Sequence, residues 1–176
     1  MPGGRERFLC DEMLARLGRW LRAAGYDVAI ATPGEEDKAL LQQAQDEQRH
    51  FITRDRKLLE HRGADGYVTL LQANSLAGQL AELSGRFAID WLCRPFSRCL
   101  ECNSELLVAP DAVRSRVPPE ALREDEVLLY CPHCDQLYWR GSHVKRMRLK
   151  LEHLARGEWD ANLEQEMMLI QNGKSE

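Results

Sequence analysis

The sequence lacks any long apolar run. No stretch approaches the roughly 18 consecutive apolar residues that a membrane span needs, and the opening residues 1–7 contain no apolar core of a signal peptide. The sequence also lacks a basic excess, since 24 Lys and Arg stand against 28 Asp and Glu, for a net charge of −4. We therefore expect a cytoplasmic protein with no membrane segment. Any binding to nucleic acid must rely on local basic patches, because bulk charge does not favour it.

Cysteine is the residue type with the most informative spacing. The chain has 176 residues, enough for one main core and a small additional module, and six of them are cysteines. In a reducing compartment, cysteines at short regular spacing indicate metal binding before disulfides. Cys10 and Cys93 stand alone among apolar residues, and we expect both to be buried and without a chemical role. The other four form two Cys-x-x-Cys pairs: Cys99, Cys102, Cys131 and Cys134.

The two Cys-x-x-Cys pairs predict a zinc ribbon. The segment between them is long enough for a hairpin that brings two cysteine-bearing turns together. Four thiolates favour tetrahedral Zn²⁺ and leave no open position for water, so we expect the zinc to be structural. A rubredoxin-like iron site uses similar pairs, but nothing else in the sequence indicates electron transfer.

Apolar segments alternate with helical patterns in the first half of the chain. We predict strands at residues 7–10, 28–30, 51–52 and 67–71. The first predicted helix carries an apolar stripe that starts at Met13, and Gly25 ends this helix. Asn74 or Ser75 caps the last predicted helix of this half of the chain. This alternation predicts an α/β domain with a parallel sheet flanked by helices. In such sheets the functional cleft lies outside the carboxyl ends of the strands.

We predict three parts in the chain. A first domain covers residues 1–92, the zinc ribbon covers 93–143, and a C-terminal region covers 144–176. That last region begins with a helix whose apolar stripe contains Val144, Met147, Leu151 and Leu154. Basic residues surround the stripe: Lys145, Arg146, Arg148 and Lys150. A helical tail follows, acidic and rich in Met, Leu and Ile, which we expect to bind a protein partner or a second copy of the chain.

Three aspartates occupy positions that suit metal chemistry. Asp11, Asp37 and Asp55 each follow a predicted strand or open a helix, where the loops of a parallel sheet converge. Carboxylate oxygens are ligands for hard cations such as Mg²⁺ or Mn²⁺, which activate water and stabilise charge on a phosphodiester. Acidic residues at helix N-termini also cap free N–H groups and complement the helix dipole. The residues alone leave both explanations open.

An ordered set of motifs makes the metal explanation stronger. The motifs are residues 8–14, 19–22, 25–27, 37–41, 53–56, 98–103 and 138–143. Together they resemble the Mut-seven C-terminal RNase family, a branch of the PIN-like nucleases, over about residues 7–150. The resemblance implies a PIN-like RNase domain followed by a zinc ribbon, with Asp11, Asp37 and Asp55 as catalytic metal ligands. A fourth acidic ligand is common in the wider PIN class, and Glu12, Asp65 and Asp90 are candidates for it.

Basic residues near these motifs are candidates for binding substrate phosphates. Six are singled out: Arg16, Arg19, Arg54, Arg56, Lys145 and Arg146. Solvated charges on helix surfaces are an equally good explanation for each arginine of the first domain. Tyr138, Trp139 and His143 either stack on unpaired bases or, for the first two, form the small core of the ribbon.

The function that follows from the resemblance is metal-dependent hydrolysis of RNA phosphodiester bonds by a carboxylate-bound Mg²⁺ or Mn²⁺ site. The first alternative is a non-catalytic adaptor that binds RNA or the ribosome through the zinc ribbon and the basic helix. The second alternative is a protein-interaction module in which the ribbon docks a partner and the C-terminal tail forms an assembly helix.

Overall fold

Four short strands in the first half of the chain form a parallel sheet. The computed structural model describes residues 6–121, 127–139 and 141–159. The strands are β1 (Arg7–Cys10), β2 (Asp27–Ile30), β3 (His50–Thr53) and β4 (Val68–Leu70). They lie in the order β2-β1-β3-β4, and every neighbouring pair is parallel. The predicted α/β class with a parallel sheet is therefore confirmed.

Helices cover both faces of this sheet, and the alternation along β1 shows why. Phe8 and Cys10 point into the larger of two core clusters, whereas Leu9 points into the other. The helices are α1 (Ala15–Ala23), α2 (Asp37–Asp46) and α3 (Leu76–Phe87). Apolar residues of α1 and α3 fill the larger cluster, and Leu40, Leu41 and Ala44 of α2 fill the second. Burial on both faces explains why consecutive residues within β1 and β3, such as Phe8 and Leu9 or Phe51 and Ile52, are apolar.

Gly25 ends α1 as predicted. Its φ is +96°, its N–H donates to the Arg22 carbonyl at 2.9 Å, and the Tyr26 N–H donates to the Leu21 carbonyl at 3.0 Å. This pair of hydrogen bonds is a Schellman motif, which favours glycine at the left-handed position. A Cβ at Gly25 would lie 2.3 Å from the Arg94 carbonyl oxygen, so the close approach of the next segment also requires glycine.

The start of α1 and one cysteine differ from the prediction. A 3₁₀ turn, Glu12–Leu14, precedes the helix and rotates Met13 outwards, so that this side chain is 59% exposed and is not part of the stripe. Cys10 is buried, and burial raises the pKa of its thiol to about 12, as expected for an inert side chain. Cys93 is exposed, so its predicted burial was wrong: it lies in a turn after Trp91 that leaves the core.

The ribbon is a small antiparallel sheet. Its strands are β5 (Leu107–Val108), β6 (Leu129–Tyr130) and β7 (Leu137–Tyr138), in the order β5-β6-β7. A short helix, α4 (Asp111–Arg114), follows β5. Ala109, Val117 and Leu128 form a separate small core beneath this sheet. The predicted ribbon after the α/β domain is thus present.

The helix α5 (Ser142–Ala155) carries the predicted apolar stripe and packs on the first domain. Met147, Leu151 and Leu154 are buried in the same cluster as Phe8 and Trp20, with Val144 partly buried against it. Residues 160–176, which contain most of the predicted assembly tail, lie outside the described residues. Among the helices that the structure describes, none is long and apolar enough to cross a membrane.

Candidate functional site

The order of the strands creates a crevice between β1 and β3. From β1 the chain crosses to β2 on one side, and it then returns to β3 on the other side. This reversal opens a crevice at the carboxyl ends of the two strands, where parallel sheets bind their ligands. Asp11 directly follows β1, and Asp55 lies two residues after β3. The sequence therefore placed these two aspartates at the same edge correctly.

Thr53 joins the two aspartates. It is the last residue of β3 and fully buried. Its Oγ1 donates a hydrogen bond to Asp11 Oδ2 at 2.7 Å and accepts one from the Asp55 backbone N–H at 3.0 Å. Thr53 appeared in a quoted motif but received no role from the sequence. The signal that was available is its position at a strand end between two candidate carboxylates.

The capping explanation holds for only one of the three aspartates. Asp55 Oδ1 accepts a hydrogen bond from the Lys57 N–H at 2.9 Å and thereby caps the 3₁₀ turn Arg56–Glu60. Asp11 precedes its own 3₁₀ turn but makes no side-chain capping bond. Asp37 is the first residue of α2, and its Oδ2 lies 3.8 Å from Nε2 of His61. A capping hydrogen bond therefore does not explain Asp11, whereas Asp37, in the first turn of α2, still complements the helix dipole.

The three aspartates share the carboxyl edge but do not form a closed group of ligands. Among the described residues, the four cysteines are the only set of three or more His, Cys, Asp or Glu side chains arranged to hold a metal ion. The donor chemistry of the aspartates fits Mg²⁺ or Mn²⁺, because these ions prefer carboxylate oxygens and retain water ligands.

The candidates for a fourth acidic ligand lie at different edges. Glu12 is exposed directly beside Asp11. Asp65 lies in the loop that leads to the amino end of β4. The backbone N–H of Asp90 donates to the hydroxyl of Tyr26, which precedes the amino end of β2. Only Glu12 therefore lies at the carboxyl edge with Asp11.

Arg54 and Arg56 both contact the loop that follows β4. Arg54 donates to the side-chain oxygen of Asn74, and Arg56 Nη2 donates to Gln72 Oε1 at 3.1 Å. Because Gln72 and Asn74 follow a neighbouring strand, both guanidinium groups lie at the carboxyl edge, within the region of Asp55. The sequence singled out the arginines but missed these two partners, which are distant in sequence.

The remaining basic candidates lie on α1 and α5. Arg16 is half-buried on α1, and Arg19 forms an ion pair of 3.6 Å with Glu101 of the ribbon.

Lys145 and Arg146 are exposed on α5, whereas Arg148 pairs with Glu152 at 3.5 Å. Arg19 thus has a structural partner, and Lys145 and Arg146 are the more accessible groups.

The four cysteine sulfurs form a site with the geometry of structural zinc. All lie within 4.8 Å of one another, and the Sγ atoms of Cys99 and Cys134, and those of Cys102 and Cys131, are 3.3 Å apart. Tetrahedral Zn²⁺ with Zn–S bonds of about 2.3 Å requires sulfurs about 3.8 Å apart. The donor set therefore fits zinc after a small expansion.

The two cysteine turns have the same backbone geometry. The N–H of Asn103 donates to the Cys99 carbonyl at 3.0 Å, and the N–H of Asp135 donates to the Cys131 carbonyl at 3.0 Å. Asn103 and Asp135 both adopt positive φ, at +71° and +59°. We call these segments knuckle 1 (residues 99–104) and knuckle 2 (residues 131–136). Their match is what a ribbon needs to present four thiolates to one ion.

Tyr138 and Trp139 belong to the ribbon itself. The Tyr138 hydroxyl lies 3.2 Å from Cys99 Sγ and accepts a hydrogen bond from the Leu100 N–H at 3.1 Å; burial, together with the Cys99 thiol, raises its pKa above the usual range. Trp139 packs against the small ribbon core. Of the two explanations left open for these rings, the structure favours the ribbon core. The side chain of His143 lies outside the described part of the chain.

A shallow cavity lies at the end of the sheet opposite the aspartates. It has a volume of about 320 Å³ and is lined by Gln48, Arg49, His50, Gly66 and Tyr67. These residues precede or begin β3 and β4, so the cavity lies at the amino edge, opposite the aspartates.

Comparison with known proteins gives one match. No curated protein and no solved structure matches the chain. The model of one family, described as Mut7-C RNAse domain, matches residues 6–151, which include the sheet, the three aspartates and all four zinc-site cysteines. The chain therefore belongs to the Mut7-C RNAse domain family, and this membership indicates a ribonuclease-type function.

Proposed function

We propose that the protein is a metal-dependent ribonuclease that hydrolyses RNA phosphodiester bonds at the carboxyl edge of its sheet. Asp11, Asp37 and Asp55 would hold Mg²⁺ or Mn²⁺ there. The observation that carries this proposal is the hydroxyl of Thr53, which joins Asp11 to the Asp55 backbone at the β1/β3 crevice. Because this buried threonine connects two carboxylate-bearing segments at a crevice where parallel sheets bind ligands, it supports a preorganised metal site.

The electrostatics of Asp11 and Asp55 support a cation. Both side chains are half-buried, and within the described ranges neither forms an ion pair with a Lys, Arg or His. Asp11 accepts a hydrogen bond from Thr53 Oγ1 and Asp55 accepts one from the Lys57 N–H, but these neutral donors leave each negative charge without a positive partner. A bound divalent cation would supply that compensation.

Asp37 would complete the ligand set from the other side of the crevice. It opens α2, and its side chain is 45% exposed with only a long contact to His61. A weak contact of this kind costs little to break. Asp37 would supply the third carboxylate for the ion from the start of α2.

A divalent cation at this edge would supply positive charge to the scissile phosphate and an activated water. The residues of the chain would bind and orient the substrate. Arg54 and Arg56 would contact phosphate oxygens, and Asn74 and Gln72 hold these guanidinium groups at the edge. Lys145 and Arg146 on α5 and, less directly, Arg16 and Arg19 on α1 would contact more distant phosphates.

We also infer a cytoplasmic location. Four reduced cysteines held for zinc need a reducing compartment, and RNA is available there.

RNA cleavage with defined metals tests the proposal. We would compare the wild-type protein with Asp11→Asn, Asp37→Asn and Asp55→Asn, each loaded with zinc, on labelled single-stranded RNA with Mn²⁺, Mg²⁺ or EDTA. Asp90→Asn, which changes an exposed aspartate near the amino edge, is the matched control. We expect cleavage by the wild type and the control only with added metal, and none by the three variants. Cleavage that survives EDTA, or that persists in Asp11→Asn and Asp55→Asn, would overturn the proposal.

A non-catalytic RNA-binding adaptor is the second candidate. The observation in its favour is that the three aspartates do not form a closed ligand group. An adaptor would bind RNA through α5 and the ribbon and would show the same affinity in all three Asn variants. RNA binding without cleavage under every metal condition would favour this function.

A further inference from the structure

The edge strand β2 is covered by the zinc ribbon. As the outer strand of the parallel sheet, β2 presents unpaired backbone groups on the side away from β1. The backbone N–H of Val28 donates to Asn103 Oδ1 at 3.0 Å, and Asn103 Nδ2 donates to Asp27 Oδ1 at 2.8 Å. Asn103 follows the zinc ligand Cys102 directly. One residue of knuckle 1 therefore binds the Val28 N–H on the free edge of the first domain.

Arg22 connects α1 to the same knuckle. Its side chain is 5% exposed, and Nε donates to the Val28 carbonyl at 2.9 Å. Its Nη1 donates to the carbonyls of Leu100 and Glu101, at 2.9 and 2.8 Å, both of which lie between the ligands Cys99 and Cys102. A buried guanidinium group that loses its acceptors is strongly destabilising, because its charge is then uncompensated away from water.

Both contacts depend on the conformation of knuckle 1. Asn103 reaches β2 from a left-handed backbone position, and its N–H is bonded to the Cys99 carbonyl. The carbonyls that Arg22 contacts are oriented by the same turn. Zinc binding and the folding of such a turn are thermodynamically coupled, because the bound ion holds the four thiolates together. Loss of the ion would therefore remove the partners of Val28 and Arg22 together.

We propose that zinc in the ribbon holds β2 and α1 of the RNase domain in place, so that the metal state of the ribbon controls the stability of that domain. The joint consists of Arg22, Val28 and Asn103. It also bears on the candidate site, because β2 leads directly into the loop before Asp37. This inference goes beyond the proposed function and does not depend on cleavage.

Hydrogen exchange on the full-length chain tests the joint. We would compare zinc-loaded and chelator-treated protein, both kept reduced, by amide exchange over residues 27–30 and by thermal unfolding. We expect removal of zinc to speed exchange of the Val28 amide at least about tenfold and to lower the melting temperature of the first domain by more than about 10 °C. Unchanged protection of residues 27–30 and an unchanged melting temperature would overturn the proposal.

The two knuckles provide a matched pair of variants. Asn103→Gly keeps the left-handed backbone and removes the side chain that contacts β2. Asp135→Gly makes the same backbone change in knuckle 2, where the side chain forms only a surface ion pair with Arg116. Because coupling between two sites is reciprocal, we expect Asn103→Gly to weaken zinc binding about tenfold and to speed Val28 exchange in zinc-loaded protein. We expect Asp135→Gly to change both by less than about twofold. Equal effects of the two variants on zinc affinity and Val28 exchange would contradict the proposed coupling through Asn103.

Discussion

At the scale of single residues, Thr53 is the feature that makes the aspartates more than three acidic residues on one edge of the sheet, because its hydroxyl connects Asp11 with the Asp55 backbone. The positions of Asp11, Asp37 and Asp55 follow from strand ends and a helix start, which periodicity in the sequence reveals. The hydrogen bond between Thr53 and Asp11 connects residues 42 apart in the chain and depends on the pairing of β1 with β3. No local pattern contains that pairing, so the sequence could suggest the carboxylates but not the group that joins them.

Replacing Thr53 with Val should remove both hydrogen bonds of the hydroxyl at the carboxyl edge while preserving side-chain volume. Asp11 would lose its donor and the Asp55 N–H its acceptor, at a cost of about 1–3 kcal/mol in the free energy of unfolding. We expect RNA cleavage to fall more than tenfold. Thr53→Ser retains the hydroxyl and should stay closer to the wild type in both properties. Urea unfolding and cleavage rates measure these effects, and equal behaviour of the Val and Ser variants would show that the hydroxyl is unimportant.

At the scale of secondary structure, long periodic segments were predictable and short ones were not. The apolar stripes of α1, α2 and α3 and the four parallel strands were located from the sequence within a few residues. The strands of the ribbon have two residues each, too few to show an alternation. The 3₁₀ turn that exposes Met13 was also missed, because its apolar residues continue the helical pattern of α1.

The helix α5 shows a second limit of the sequence. Its stripe was predictable, but the stripe alone does not identify the surface it covers. In the structure it packs into the main core of the first domain, although it follows the ribbon in the chain. The predicted divisions at residues 92 and 143 thus describe the order of the chain, whereas the hydrophobic core crosses both of them.

Two leucines on opposite faces of α5 test this packing. Leu151 is fully buried in the main core, whereas Leu149 is 55% exposed. We expect Leu151→Ala to lower the free energy of unfolding by about 2–5 kcal/mol. Leu149→Ala should change it by less than about 0.5 kcal/mol. Denaturant unfolding followed by circular dichroism of the full chain measures both, and similar small effects would place α5 outside the core.

The exposed basic face of α5 has its own test. We expect the affinity for single-stranded RNA to fall steeply with salt, because bound Lys and Arg side chains release counterions from phosphates. The double variant Lys145→Ala/Arg146→Ala should reduce the slope of log affinity against log salt by about 1.4, the value for two lost phosphate contacts. Arg86→Ala on α3, where the arginine is already paired with Glu82, is the control. An unchanged slope in the double variant would remove α5 from the RNA surface.

At the scale of the whole molecule, the ribbon and the RNase domain form a continuous structure. Asn103 of knuckle 1 accepts a hydrogen bond from the Val28 N–H at the edge of the sheet. Arg22 donates to carbonyls between the zinc ligands, and α5 packs into the main core. The sequence indicated that the ribbon is a small additional module, separate from the first domain. Contacts between Asn103 and Val28 argue against that independence, and they were invisible in the sequence because the residues lie 75 positions apart.

Metal analysis of the purified protein tests the composition of the ribbon. We expect about one zinc per chain, bound tightly enough to survive dialysis, because four thiolates form a closed tetrahedral site. Cys131→Ser should lose that zinc. Protein with stoichiometric iron, or without any bound metal under reducing conditions, would contradict this assignment.

Binding of Mn²⁺ to the zinc-loaded protein tests the central claim most directly. The paramagnetic resonance signal of free Mn²⁺ reports binding without any need for the correct RNA substrate. We predict that the wild type and Asp90→Asn bind Mn²⁺ with equal affinity. Asp11→Asn should bind it at least about tenfold more weakly, because it loses one carboxylate ligand. Equal binding by Asp11→Asn and the wild type, or no binding by either, would contradict a metal site at the carboxyl edge.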